Sequence, residues 1–377
     1  MNRQKSSGRF RFVAASMLLS ALVFLVPALQ GGNPSLYLLA VLIPCVIFLC
    51  ETVIARMFSL DRMIMALVLW LCAAGIAALA QSDPDSALAQ SLRCGAALIA
   101  LLIGGIMIRT LTPSLLTSSG TAFLGLLLLA GKLLSPSLGL PLTEAAMALL
   151  LIAFASLSAR QSTVFALLLG LAALSLMLIE GDLANAVFWA LIILLLAFAV
   201  DGRLVLVIPS LAVISLLFCI TFRLFPVPDL SRNLSSLEAL ASAGAVGAET
   251  LPEGFTSLDS GSLFLNLAGH YGLVFAGLTA LLFLPFTLRG TALASAARSR
   301  FHAVLAMGAS LMLSLRALAA ILSAFGFIPL SGLRLPFLTD SLPDLCAQLF
   351  LAGMLCGISG RNDTDLAEDA HLAMLAK

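Results

Sequence analysis

Long apolar blocks separated by short polar stretches run along nearly the whole chain. A helix that crosses a bilayer needs about 20 mostly apolar residues. On that criterion the blocks predict spans near 11–30, 36–56, 62–81, 90–109, 120–135, 142–159, 163–179, 183–200, 203–223, 263–288, 302–327 and 342–360. The fifth block is short and carries Lys132. The first follows Arg3, Lys5, Arg9 and Arg11, the basic flank of a secretory signal. Its long apolar core and the immediate start of the next block read as a retained signal-anchor helix. Charge orders the blocks by side. With the N-terminus inside, Arg56, Arg62, Arg109, Arg160, Arg203, Arg289, Arg298 and Arg300 all fall in inner connections. Outer connections hold mostly acids, and only Arg232 and Arg334 lie plainly among them. An error of one helix would put the basic loops on alternating sides, so twelve spans with both termini cytoplasmic is the consistent solution. The predicted fold class is an all-α polytopic membrane protein of about 12 transmembrane helices.

Composition agrees with lipid as the solvent. Apolar residues make up 61% of the chain and charged residues 10%, against about a quarter in ordinary soluble domains. A water-soluble monomer so poor in charge would expose too much apolar surface. The net charge of +1 and the lack of a basic stripe give no sign of nucleic-acid binding. The seven cysteines all lie in apolar blocks without CxxC or Cys/His spacing, and read as small buried hydrophobes. The three histidines are scattered and cannot build a metal site by themselves. No G-x-S-x-G, Walker A or HExxH pattern points to soluble-enzyme chemistry.

One connection stands apart. Residues 224–262 form a longer, more polar stretch on the outer side, and a long loop in a compact protein is usually functional or disordered. A charge in the middle of a membrane helix costs about 2.5–3.5 kcal/mol and usually faces a cavity or a partner. Glu144 opens the sixth span after Pro141-Leu-Thr, and Asp182 opens the eighth after Glu180-Gly. Each is placed to cap its helix or to serve a cavity. Arg316 lies in the middle of the eleventh span, where it either pairs with an acid or faces a polar cavity. His270, beside Tyr271, reads as a structural histidine.

Several segments resemble motifs of the SEDS family, the shape, elongation, division and sporulation polymerases of bacteria. Phe327-Ile-Pro329-Leu-Ser-Gly332-Leu-Arg-Leu-Pro336-Phe337 resembles the family's "LLPVTGIPLPFIS" signature before the last helix. Leu142-Thr-Glu144-Ala-Ala-Met147 resembles "PSELAK", with Ser158-Ala-Arg160-Gln161 at the basic end of the same helix. Glu180-Gly-Asp182-Leu183 resembles "QPDLG". Within the long loop, Ser236-Leu-Glu-Ala-Leu-Ala-Ser-Ala-Gly244-Ala-Val-Gly247 is similar to "QSLxAIGSGGLxG". There are departures: Met147 stands in place of lysine, Gly269-His270-Tyr271-Gly272 in place of "EELG", and the acid of "HTDFIF" has only Asp259 nearby, two places late. The resemblance implies an added N-terminal helix pair over 1–60 and a ten-helix core over 61–360, and the acidic composition of 361–377 reads as a solvated cytoplasmic tail.

The resemblance also implies a function, the polymerisation of lipid II into glycan strands in the bacterial cytoplasmic (inner) membrane, with a class B penicillin-binding protein as partner. Such a reaction needs a carboxylate to take the proton of the attacking hydroxyl. It also needs positive charge at the departing pyrophosphate, from side chains or a divalent cation such as Mg2+ or Mn2+. Asp259 is the candidate base, or an ordinary loop acid. Arg232, Arg334 and Arg223 are the candidate outer cations, or surface residues. Glu144, Asp182 and Arg316 would line or brace the central region, and Pro329, Gly332, Pro336 and Phe337 would shape the loop before the last helix. Two other readings stay open: a scaffold for a penicillin-binding protein that has lost catalysis, and a transporter of a lipid-linked precursor.

Overall fold

The computed structural model describes residues 16–25, 28–29, 33–80, 83–134, 142–160, 163–202, 204–224, 240–241, 244–245, 247, 263–327 and 333–375. Its helices are α1 (Ser16–Leu25), α2 (Pro34–Met57), α3 (Arg62–Ala80), α4 (Pro84–Thr110), α5 (Leu115–Leu134), α6 (Thr143–Ala159), α7 (Thr163–Glu180), α8 (Leu183–Asp201), α9 (Leu204–Leu224), α10 (Leu263–Ala296), α11 (Arg300–Ala324) and α12 (Leu342–Leu375). Ten of these are long and apolar enough to cross a bilayer, while α1 and α6 are shorter apolar helices. No strand occurs among the described residues. Large apolar side chains such as Leu116, Phe123 and Val205 point outward, as they must where the surroundings are hydrocarbon. The chain is a multi-pass membrane protein.

Local chemistry explains where the helices depart from the predicted boundaries. Asp83 caps α4 by accepting from the backbone N–H groups of Asp85 and Ser86, and Pro84 occupies the first turn, so α4 begins before its apolar block does. Ser114 and Thr117 bond each other's backbone N–H reciprocally at 3.1 and 3.0 Å, a capping box that starts α5 at Leu115 rather than near 120. The C-terminal residues continue α12 as helix to Leu375, since beyond Gly360 no glycine or proline interrupts them. In α2 the chain forms a π turn over Cys50–Ile54. That turn carries the buried Glu51, which is hydrogen-bonded to Ser16 of α1 and so ties the first two helices together.

Helix α6 lies at the centre, buried on nearly every face against α5, α7, α11 and α12. The most intimate pair is α4 with α12, which run parallel. Gly353 and Gly357 of α12 face Leu101 and Gly105 of α4, while Gly104 faces the Phe350 carbonyl. A Cβ at Gly353 would overlap the Leu101 carbonyl. Small residues spaced four apart let backbones approach where lipid offers no hydrophobic drive to association.

The two ends of the bundle differ in chemistry. At the end rich in arginine, Asp61 caps α3 through Ile64 N–H at 3.0 Å. The same carboxylate receives Arg289 of α10 at 2.6 Å and the Ser359 hydroxyl of α12 at 2.9 Å. Asp201 of α8 likewise takes Arg300 of α11 at 2.9 Å and the Thr163 hydroxyl of α7 at 3.2 Å.

The opposite end carries the long loop, part of which docks on a broken helix. Gly272 interrupts α10 with φ 87° and ψ 164°, a conformation that essentially only glycine adopts. The break frees the N–H groups of Leu273 and Val274, which donate to the Gly244 and Ala245 carbonyls at 3.1 and 3.2 Å. Freed backbone groups at membrane depth need such partners. Gly247, with φ 106°, sits against the His270 carbonyl where a Cβ has no room. Gly247→Val should therefore loosen the loop from α10, read as faster proteolytic cleavage between 225 and 262 with helical content unchanged. Wild-type cleavage rates in that variant would contradict the docking.

Candidate functional site

Polar groups from six helices meet in the half of the bundle that carries the loop. Arg316 of α11 and Glu144 of α6, both buried, lie 3.1 Å apart as an ion pair. Arg316 also donates to the Asn185 side-chain carbonyl at 2.9 Å and stands 5.5 Å over the Phe188 ring of α8. Asn185 in turn donates to Asp182 at 2.8 Å. Lys132, from the last turn of α5, lies 3.4 Å from Asp182, donates to Thr143 at 2.7 Å and pairs with Glu180. From α12, Gln348 donates to the other oxygen of Glu144 at 2.7 Å and accepts from the Phe337 N–H at 2.6 Å. A continuous path of polar contacts thus runs from Lys132 through Asp182, Asn185, Arg316, Glu144 and Gln348 to the backbone before α12.

The sequence alone left two roles open for each charged residue, and the contacts separate them. Glu144 makes no capping bond and spends its carboxylate on Arg316 and Gln348. Asp182 does both jobs, accepting from the Asn185 backbone N–H at 3.2 Å while holding the Asn185 amide and Lys132. Arg316 pairs with an acid, yet its Nε and Nη1 have no hydrogen-bond partner among the described residues. These are buried donors of a kind that native proteins seldom leave unused.

A second group borders this path. Arg334 lies 3.4 Å from Asp340 and 3.5 Å from Asp344. Gln90 of α4 donates to the Thr339 carbonyl at 2.6 Å, and exposed Arg93 donates to the Asp340 carbonyl at 3.1 Å. Pro336 and Phe337 form the turn between these contacts. Phe337 holds a left-handed φ of 67°, a strained state for a bulky residue. Its fully buried ring, packed on Phe283 and Phe286, and its bond to Gln348 hold it there. Arg223 is exposed at the end of α9, apart from the network. Asp259, Arg232, Pro329 and Gly332 lie outside the described residues. No group of three or more His, Cys, Asp or Glu side chains that could hold a metal ion gathers among the described residues.

Asn185, Gln348 and Arg93 drew no notice in the sequence. Neutral amides in apolar helices carry no charge signal, and Arg93 lies inside a block dominated by alanine, leucine and glycine. Lys132 was visible only as a weakness in a predicted span, where the structure gives it two acids.

No protein-family model matches the chain. Over 112 residues it is 32% identical to the probable peptidoglycan glycosyltransferase FtsW of two strains of Geobacter sulfurreducens. That stretch spans 29% of this chain and only 29% of the length of those curated relatives. Solved structures resemble much more of it. A chain from a peptidoglycan synthase complex, studied for the coordination of polymerization and crosslinking, superposes with a TM-score of 0.58 at 20% identity, covering 81% of this chain and 98% of that one. The rod shape determining protein RodA of Thermus thermophilus superposes with a TM-score of 0.55 at 19% identity, covering 80% of this chain and 97% of RodA. The chain therefore shares the fold of these solved structures, and one stretch of it is similar in sequence to the FtsW proteins of Geobacter sulfurreducens.

Proposed function

We propose that this protein is a peptidoglycan glycosyltransferase that polymerises lipid II at the outer face of the bacterial cytoplasmic membrane. The observation that carries the reading is the buried Glu144–Arg316 pair, with its links to Asp182 and Lys132, inside a SEDS fold and at the end that bears the long loop. Buried charges in a membrane helix are costly to keep and mark functional paths. Met147 stands where the family motif has lysine, and here Arg316 supplies the positive partner of Glu144 from another helix. That exchange supports a working site over a decayed scaffold.

In the proposed reaction the 4-hydroxyl of the acceptor sugar attacks the anomeric carbon of a chain held on undecaprenyl pyrophosphate. The new glycosidic bond forms as the bond to the pyrophosphate oxygen breaks, and the pyrophosphate leaves with that electron pair. Asp259 takes the hydroxyl proton. Carboxylates outnumber cations in the buried network, so it is better suited to hold sugar hydroxyls than a pyrophosphate. The leaving group is then countered by Arg93, Arg223, Arg232 and Arg334 at the outer boundary. Both termini lie in the cytoplasm, and a class B penicillin-binding protein is the partner, in keeping with the peptidoglycan synthase complex that shares the fold.

Asp259→Ala should reduce lipid II polymerisation by roughly 10²–10⁴-fold, the usual contribution of a general base, with membrane abundance unchanged. Undiminished glycan synthesis by that variant would remove Asp259 from the base role.

A further inference from the structure

A second feature lies at the opposite, arginine-rich end. Between the first turns of α5, the last turn of α6 and the first turns of α7 there is a groove of about 560 Å³, lined by Leu115, Ala122, Leu157, Phe165 and Leu169 and headed by Arg160. Ser118 and Ser119 also face it, but their hydroxyls donate back to carbonyls of their own helix. The wall is therefore apolar in effect, with one charge at the membrane boundary. Neighbouring arginines at this end have partners within the bundle: Arg289 pairs with Asp61, Arg300 with Asp201, and Arg109 donates to the Phe58 carbonyl. The Arg160 guanidinium has no such partner among the described residues.

We propose that this groove binds an anionic phospholipid of the adjacent leaflet, one acyl chain lying against Leu115, Ala122, Leu157 and Phe165 and its phosphate on Arg160. The volume falls in the range of ligand pockets, and a cation without a partner among the described residues, set above an apolar channel, complements an amphiphile with a negative head. A guanidinium also suits a phosphate in shape, offering two parallel donors. By the charge distribution this leaflet is the cytoplasmic one, so the site is separate from the proposed catalytic face.

Native mass spectrometry of the full chain in detergent tests the assignment, with phosphatidylglycerol, phosphatidylcholine and polyprenyl phosphate offered in competition. Phosphatidylglycerol should be retained over phosphatidylcholine. Arg160→Ala should lower that preference roughly fivefold, the effect of one arginine at an anionic surface, and Arg160→Lys should keep most of it. Ala122→Phe, which fills the groove and leaves the charge, should reduce retention of phosphatidylglycerol as well. Equal retention of the two phospholipids, or an unchanged preference in Arg160→Ala, would overturn the proposal. So would displacement of phosphatidylglycerol by polyprenyl phosphate, which would make the occupant a lipid-linked precursor.

Discussion

Replacing Gly353 with leucine should part α12 from α4 and abolish recovery of folded protein from membranes. The Cβ alone would overlap the Leu101 carbonyl, and backbone cannot rotate aside as a side chain can. Overpacking against side chains costs about 1–3 kcal/mol, and this site should exceed that range. The pair also holds the turn at Phe337–Thr339, because Gln348 of α12 accepts from the Phe337 N–H and Gln90 of α4 donates to the Thr339 carbonyl. Gly95 is the internal control. It lies on α4 with nothing near the position of a Cβ, so Gly95→Leu should leave size-exclusion profiles and thermal midpoint as in the wild type. Equal behaviour of the two variants would mean that α4 and α12 do not cross at Gly353.

Arg316→Met should cost about 3–5 kcal/mol, the penalty of leaving a buried carboxylate without its partner. Glu144 would keep the neutral Gln348 amide and no cation within ion-pair distance among the described residues. A buried ion pair is weak evidence of stabilisation in itself, since its desolvation offsets much of its attraction. The double variant Glu144→Gln, Arg316→Met therefore separates two roles. It should recover most of the lost thermal stability and, on the proposed function, still fail to support polymerisation, because it removes the two Arg316 donors that have no partner among the described residues. Recovery of both stability and activity in the double variant would reduce the pair to a structural contact.

Ten of the twelve predicted spans were legible as helices long enough to cross a bilayer, because lipid imposes one rule on the whole chain, a run of apolar residues of fixed length. Their ends were less so, and the cause is local: the Ser114–Thr117 box and the Asp83 cap start helices upstream of the apolar blocks. The charges that matter were visible one by one, since Glu144, Asp182 and Arg316 each break an apolar run. Their convergence was not, because residues 144 and 316 meet only when α6 and α11 pack. Asn185 and Gln348 join that network with no signal in composition. The loop's Gly244–Gly247 motif was visible, yet its docking depends on the break at Gly272, and the freed N–H groups there exist only in the folded helix. Met147 stands where the motif has lysine. The structure places a cation beside Glu144 by another route.

The most direct test of the account is a polymerisation assay with purified protein and fluorescent lipid II. It would be run alone and with the class B penicillin-binding protein proposed as partner, with and without divalent metal, beside an active SEDS polymerase. A ladder of glycan strands made by the wild-type chain and lost in Asp259→Ala is the predicted result. Absence of a ladder under every condition, while the control polymerises, would contradict it and leave a scaffold or a transporter of lipid-linked precursor as the working description.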